Sequence, residues 1–90
     1  MNTQTREIEQ TVKPTIKERL LARFVAATTQ LGDNWREQLV VHNPYFDTKK
    51  GVYDYQAVSA AVNNPRRADA DRIERVTEAL EAIVSSNTQA

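Results

Sequence analysis

The chain contains no cysteine among its 90 residues, only two glycines, three prolines and one histidine, and no excess of either charge. Without thiols, neither a disulfide framework nor a thiolate zinc site supports the fold, so helix packing must do it. Gly32 and Gly51 stand alone, which leaves no glycine-rich phosphate loop. Lys plus Arg and Asp plus Glu number 12 each, so the molecule as a whole offers no field to draw in a polyanion. No stretch approaches the roughly 20 apolar residues of a membrane span, and Met1–Thr5 lack the basic and apolar regions of a secretory signal. The expectation is a cytoplasmic protein with no membrane partner.

What is present is a set of apolar residues at helical spacing. A domain of this size buries only about 60% of the surface its unfolded chain exposes, so its core is thin. The inward-facing candidates are Ile16, Leu20, Phe24, Leu31, Trp35, Leu39, Val58, Val62, Ile73, Val76, Leu80 and Ile83. Self-association, as a homodimer, is one way for such a domain to gain stability.

The pattern predicts an all-α fold, a small orthogonal bundle of four helices. Residues 1–13 are polar, with Ile8 and Val12 the only large apolar members after Met1, and are expected to form a flexible arm. The helical domain is expected over 14–84, with a flexible tail over 85–90. Thr15-Ile16-Lys17-Glu18 has the capping-box pattern and starts the first helix, whose apolar stripe ends at Gly32. Asp33 is the expected cap of a short second helix bearing Trp35, Leu39 and His42, which Asn43-Pro44 stops. A third helix runs from Tyr55, capped by Asp54, to about Asn63, and a fourth opens at Ala68 or Asp69 and carries Ile73, Val76, Leu80, Ile83 and Val84. Between the second and third helices, 43–54 reads as a long loop, with a short hairpin at 45–53 as one option.

The supply of catalytic groups is poor. His42 is the only histidine, at a helix end where a cation is favoured, and is read as structural. Asp69 and Asp71 are two apart and point away from each other on a helix, so capping accounts for them better than a metal. No enzyme activity, catalytic residue, cofactor or metal is expected.

The segment Tyr55–Arg67 has a functional shape. With Val58 and Val62 inward, Gln56, Ser59 and Asn63 face solvent, and Tyr55 is expected to project from the exposed helix start. These groups form hydrogen bonds without carrying charge, which suits a slim helix entering the major groove, where an amide such as Gln56 pairs with adenine. Lys49 and Lys50 before the helix, and Arg66 and Arg67 after it, are the phosphate candidates. The Asp54 carboxylate argues against close phosphate approach at the helix start.

Through Val58-Ser59, Val62-Asn63-Asn64, Arg66-Arg67 and the stretch from Ile73 to Leu80, residues 54–80 resemble phage-repressor-type and lac-repressor-type helix-turn-helix proteins. The resemblance implies a sequence-specific DNA-binding regulator of transcription, with double-stranded DNA as partner and Tyr55, Gln56, Ser59 and Asn63 on base edges or in the groove. Asn64 stands where those families carry glycine, and asparagine also accepts positive φ. The connection from Asn43 to Asp54 is much longer than their usual turn of about three or four residues.

Two other readings fit the same residues. Small residues in the third helix suit a close helix crossing, and the exposed polar groups need no ligand. Alternatively, the chain is a small protein-interaction module, an adaptor or inhibitor, that docks through Tyr45, Phe46, Tyr53 and Tyr55, the residue types that carry most interface energy.

Overall fold

The computed structural model describes residues 15–89, and the arm expected over 1–13 lies outside them. Four α-helices and no strands are found among the described residues: α1 Ile16–Leu31, α2 Trp35–His42, α3 Asp54–Ala61 and α4 Ala70–Gln89. The all-helical expectation holds.

Each boundary has a local cause. At the start of α1 the Thr15 hydroxyl accepts the Glu18 N–H at 3.1 Å, while the Glu18 carboxylate accepts the Thr15 N–H at 2.9 Å. Two of the helix's orphan donors are thereby satisfied reciprocally. Those bonds hold the Glu18 carboxyl below its ordinary range, the bond to the Thr15 backbone counting most. Gly32, at φ 91°, ends the helix in a backbone region where a Cβ is strained. The Asp69 carboxylate accepts the Arg72 N–H at 2.7 Å and caps α4.

The connections are short 3-10 turns, Pro44–Phe46 and Thr48–Lys50 before α3 and Pro65–Arg67 after it, so the long loop over 43–54 stands and the hairpin option at 45–53 does not. One device recurs in the first and last of these. Proline drives the preceding asparagine out of the helical region, and Asn43 and Asn64 sit extended at φ −144° and −141°. Each carboxamide oxygen then accepts the N–H two residues on, from Tyr45 and Arg66, at 3.3 Å. Asp47 does the same for Lys49 at 2.9 Å. Asn64 therefore does not adopt the positive φ that its match to a family glycine suggested.

α4 is the floor of the molecule. Ile73, Val76, Leu80 and Ile83 are buried along it, and it meets α1, α2 and α3. α1 runs parallel to it: Arg23 pairs with Glu81, while Leu31 and Thr88 further along line one shallow surface cavity. At the other end, Lys17 donates to the Pro65 carbonyl at 3.1 Å, just before α4 begins. Trp35 joins three helices, with edge-on contacts to Phe24 at 5.4 Å and Tyr55 at 5.9 Å between ring centres.

Several core expectations need correction. Ile16 is 72% exposed, because at the first helical position it precedes the inward stripe, which is Leu20, Leu21, Phe24 and Ala27. Leu31 is only half-buried. Val62 is 41% exposed, because α3 ends at Ala61 and the chain turns there. Asp33 does not cap α2, which begins after Asn34 with no side-chain cap. α4 runs on through the polar stretch from Ser85 to Gln89.

Thr77 is fully buried, and its hydroxyl has no hydrogen-bond partner among the described residues. An unpaired buried hydroxyl costs about 1–3 kcal/mol, whereas an apolar group of the same shape does not. Thr77→Val is expected to stabilise the fold by about 1 kcal/mol, a rise in Tm of about 4–8 °C. A melting temperature at or below that of the parent chain would refute the account.

Arg23 and Glu81 form a two-pronged ion pair between α1 and α4, at 2.5 and 3.0 Å. The hydrogen bond from Arg23 is the main reason the Glu81 carboxyl lies below its ordinary value, with burial opposing it. A depressed folded-state pKa contributes stability that is present above the unfolded value, near ~4.3, and is lost as pH falls through the folded one. Both side chains are well exposed, so Glu81→Gln should cost no more than about 0.5–1 kcal/mol at pH 7. Urea midpoints of parent and variant should converge in acid, once the carboxyl is protonated in both states; a cost undiminished there would mean that the charge is not what matters.

Candidate nucleic-acid interface

α3 is a short amphipathic helix, and Asp54, Tyr55, Val58 and Ala61 form its buried side. Asp54 is not its cap but its first residue, and its side chain turns inward, the residue being 8% exposed. There Oδ2 accepts a hydrogen bond from Arg75 Nη1 at 2.9 Å, and Oδ1 lies 3.3 Å from Arg72 Nε. Burial of a carboxylate is costly unless it is paired, and here each oxygen has its own guanidinium. The negative charge that seemed to bar phosphate from this helix start is thus offset by two cations.

Tyr55, expected at the surface, is 7% exposed and packs edge-on against Trp35, so it is not available to a groove. Tyr55 stands three residues before Val58, so a helix with Val58 inward carries Tyr55 on the same inward face.

The other expected contact residues remain near solvent. Gln56 is exposed on the outer side of α3, Ser59 is half-buried, and Asn63 is exposed in the turn that follows rather than in the helix. Lys49, Lys50, Arg66 and Arg67 are exposed and take part in no ion pair among the described residues. The 3-10 turns place one cation pair before α3 and the other after it.

Sequence reasoning overlooked three further cations. Lys17, through its bond to Pro65, stands beside the Arg66–Arg67 turn. Arg72 and Arg75 stand at the start of α4, half-exposed, holding Asp54. Two arginines three apart share one side of a helix, and a lone aspartate at the head of the preceding helix was the signal that could have paired them.

Of the aromatic residues proposed for a docking loop, Phe46 is buried and Tyr55 lies in the core, while Tyr45 and Tyr53 are 50% and 54% exposed. These two line an open surface cavity of about 330 Å³ with Gly51, Asp54, Ala57 and Arg72. His42 is exposed at the end of α2. No helix among the described residues is long and apolar enough to cross a membrane, and none of their His, Asp and Glu side chains cluster in threes able to hold a metal. The chain matches no protein-family model, no curated protein and no solved structure.

Proposed function

We propose that the chain is a sequence-specific DNA-binding regulator of transcription, with the outer side of α3 in the major groove. The observation that carries this reading is the distribution of charge around that helix. Its outward groups, Gln56 and Ser59 with Asn63 just beyond, are uncharged hydrogen-bonders, while the turns on both flanks carry adjacent exposed cations without ion-pair partners among the described residues. Arg23, Arg72 and Arg75, in contrast, are already paired. Base readout by amide side chains, with phosphate contacts by Lys and Arg on either side, is the division of labour that duplex recognition needs.

α3 has eight residues and so spans about 12 Å. The major groove is also about 12 Å wide, so a helix lying across it brings the turns at its two ends to opposite backbones. Gln56 takes the base-edge role, and Lys49, Lys50, Arg66, Arg67 and Lys17 take phosphates. A homodimer, with two such helices about 34 Å apart, would read a palindrome and offset the modest charge of one copy.

The test is a fluorescence-anisotropy titration with random-sequence duplex DNA at several salt concentrations. Arg66→Ala/Arg67→Ala should flatten the slope of log K against log salt by about 1.8, since each phosphate contact contributes about 0.9. Gln56→Ala should leave random-sequence affinity and slope intact and relax preference at one base pair of a selected site, by about 1–3 kcal/mol. Absence of binding at low salt would remove the DNA reading and turn attention to a protein partner at Tyr45 and Tyr53.

A further inference from the structure

Resting on that reading, we propose that the cavity beside Tyr45, Tyr53 and Arg72 is a built seat for one phosphate of the nucleic-acid backbone, held by Arg72 and Arg75 with the two tyrosine hydroxyls.

Arg72 and Asp54 line the open cavity of about 330 Å³, while Arg75 holds the other Asp54 oxygen and also feels the Asp69 carboxylate. The carboxylate is withdrawn, with its side chain 11% exposed, while the arginine side chains are 43% and 51% exposed. An anion arriving from solvent therefore meets guanidinium first. Arginine has five N–H donors in a rigid fork. Arg72 gives Asp54 its Nε side and Arg75 one terminal nitrogen, which leaves donors on both for a second acceptor. Asp54 acts as a positioning residue: by holding both forks it removes rotamer freedom that phosphate binding would otherwise have to remove.

The rim fits the same ligand. Tyr45 and Tyr53, each with a phenol able to donate, line the cavity, and Gly51, in a left-handed conformation at φ 83°, turns the chain there directly after Lys49 and Lys50. The site lies at the start of α3, whereas Arg66, Arg67 and Lys17 lie beyond its end. The two sets therefore stand on opposite sides of the reading helix, where the two backbones bordering one groove would run.

The experiment combines duplex binding with an NMR titration of the full chain by inorganic phosphate, following the Arg72 Nε–H and the ring signals of Tyr45 and Tyr53. Tyr45→Phe/Tyr53→Phe, which keeps the packing, is expected to weaken random-duplex binding several-fold with the melting temperature and the salt slope unchanged. Arg72→Gln is expected to lower the slope by about 0.9. Inorganic phosphate is expected to shift the three signals saturably in the parent chain and not in Arg72→Gln.

Duplex binding that depends on Arg66 and Arg67 but is untouched by the tyrosine pair and by Arg72→Gln would overturn the seat and leave the DNA reading standing. If no duplex binds at low salt, the DNA reading fails, and the phosphate titration decides the cavity alone: saturable shifts at all three signals uphold a phosphate seat, and no shift removes it. Polyglutamate moving those signals at lower concentration than phosphate would also overturn the proposal, since it would make the cavity a carboxylate site.

Discussion

Trp35→Ala is expected to abolish cooperative folding near 37 °C, or to lower Tm by at least about 12 °C. The indole is 8% exposed and meets Phe24 of α1 and Tyr55 of α3 edge-on, so its ring contacts join three helices. Removing a buried large aromatic costs about 3–5 kcal/mol, through lost burial and the cavity left behind. A domain of this size has only about 5–10 kcal/mol in total, and each kcal/mol moves Tm by about 4–8 °C. Thermal melts by circular dichroism measure this directly, and Trp35→Phe, which keeps part of the ring contact, should fall between variant and parent. A Trp35→Ala protein melting within a few degrees of the parent would show that the aromatic chain is not the joint it looks to be.

Phe46→Ala and Tyr45→Ala alter neighbouring aromatic residues and should differ by about 2–3 kcal/mol in their cost. Phe46 is 1% exposed and fixes the turn after α2 to the core, so its removal should cost about 3–4 kcal/mol. Tyr45, half-exposed and touching Phe46 at 5.1 Å between ring centres, should cost less than about 1 kcal/mol. Urea denaturation midpoints read the contrast. Equal costs would mean that this segment is held by something other than Phe46.

That contrast also marks how far the sequence could be read. α1 and α4 were legible because long apolar stripes and side-chain caps agree: Thr15 with Glu18, and Asp69 with the Arg72 amide. The segment between α2 and α3 was less so, because Asn-Pro pairs announce a turn but not its kind. The kind is settled by Phe46 entering the core and by asparagine and aspartate oxygens accepting N–H groups two residues on. In α3, Asp54 reads as a surface cap by composition. Only tertiary pairing with Arg72 and Arg75 makes it a buried first residue, while Tyr55, three before Val58, shares the inward face and lies in the core. Gln56, Lys49, Lys50, Arg66 and Arg67 stayed at the surface, since nothing inside offers them a partner.

The parallel course of α1 and α4 bears on how the chain folds. Arg23 and Glu81 are 58 residues apart in sequence, and the chain must run out through α2 and back through α3 before they can meet. Helical domains usually fold fast because their contacts are local, but here the largest apolar face waits for the last helix. During synthesis, Leu20, Phe24, Trp35 and Val58 remain without their floor until Ile73, Val76 and Leu80 have cleared the ribosome. At roughly 5–20 residues per second, that delay is of the order of seconds. For that interval the nascent chain presents its core to the cell, and α4 is the helix whose emergence closes it.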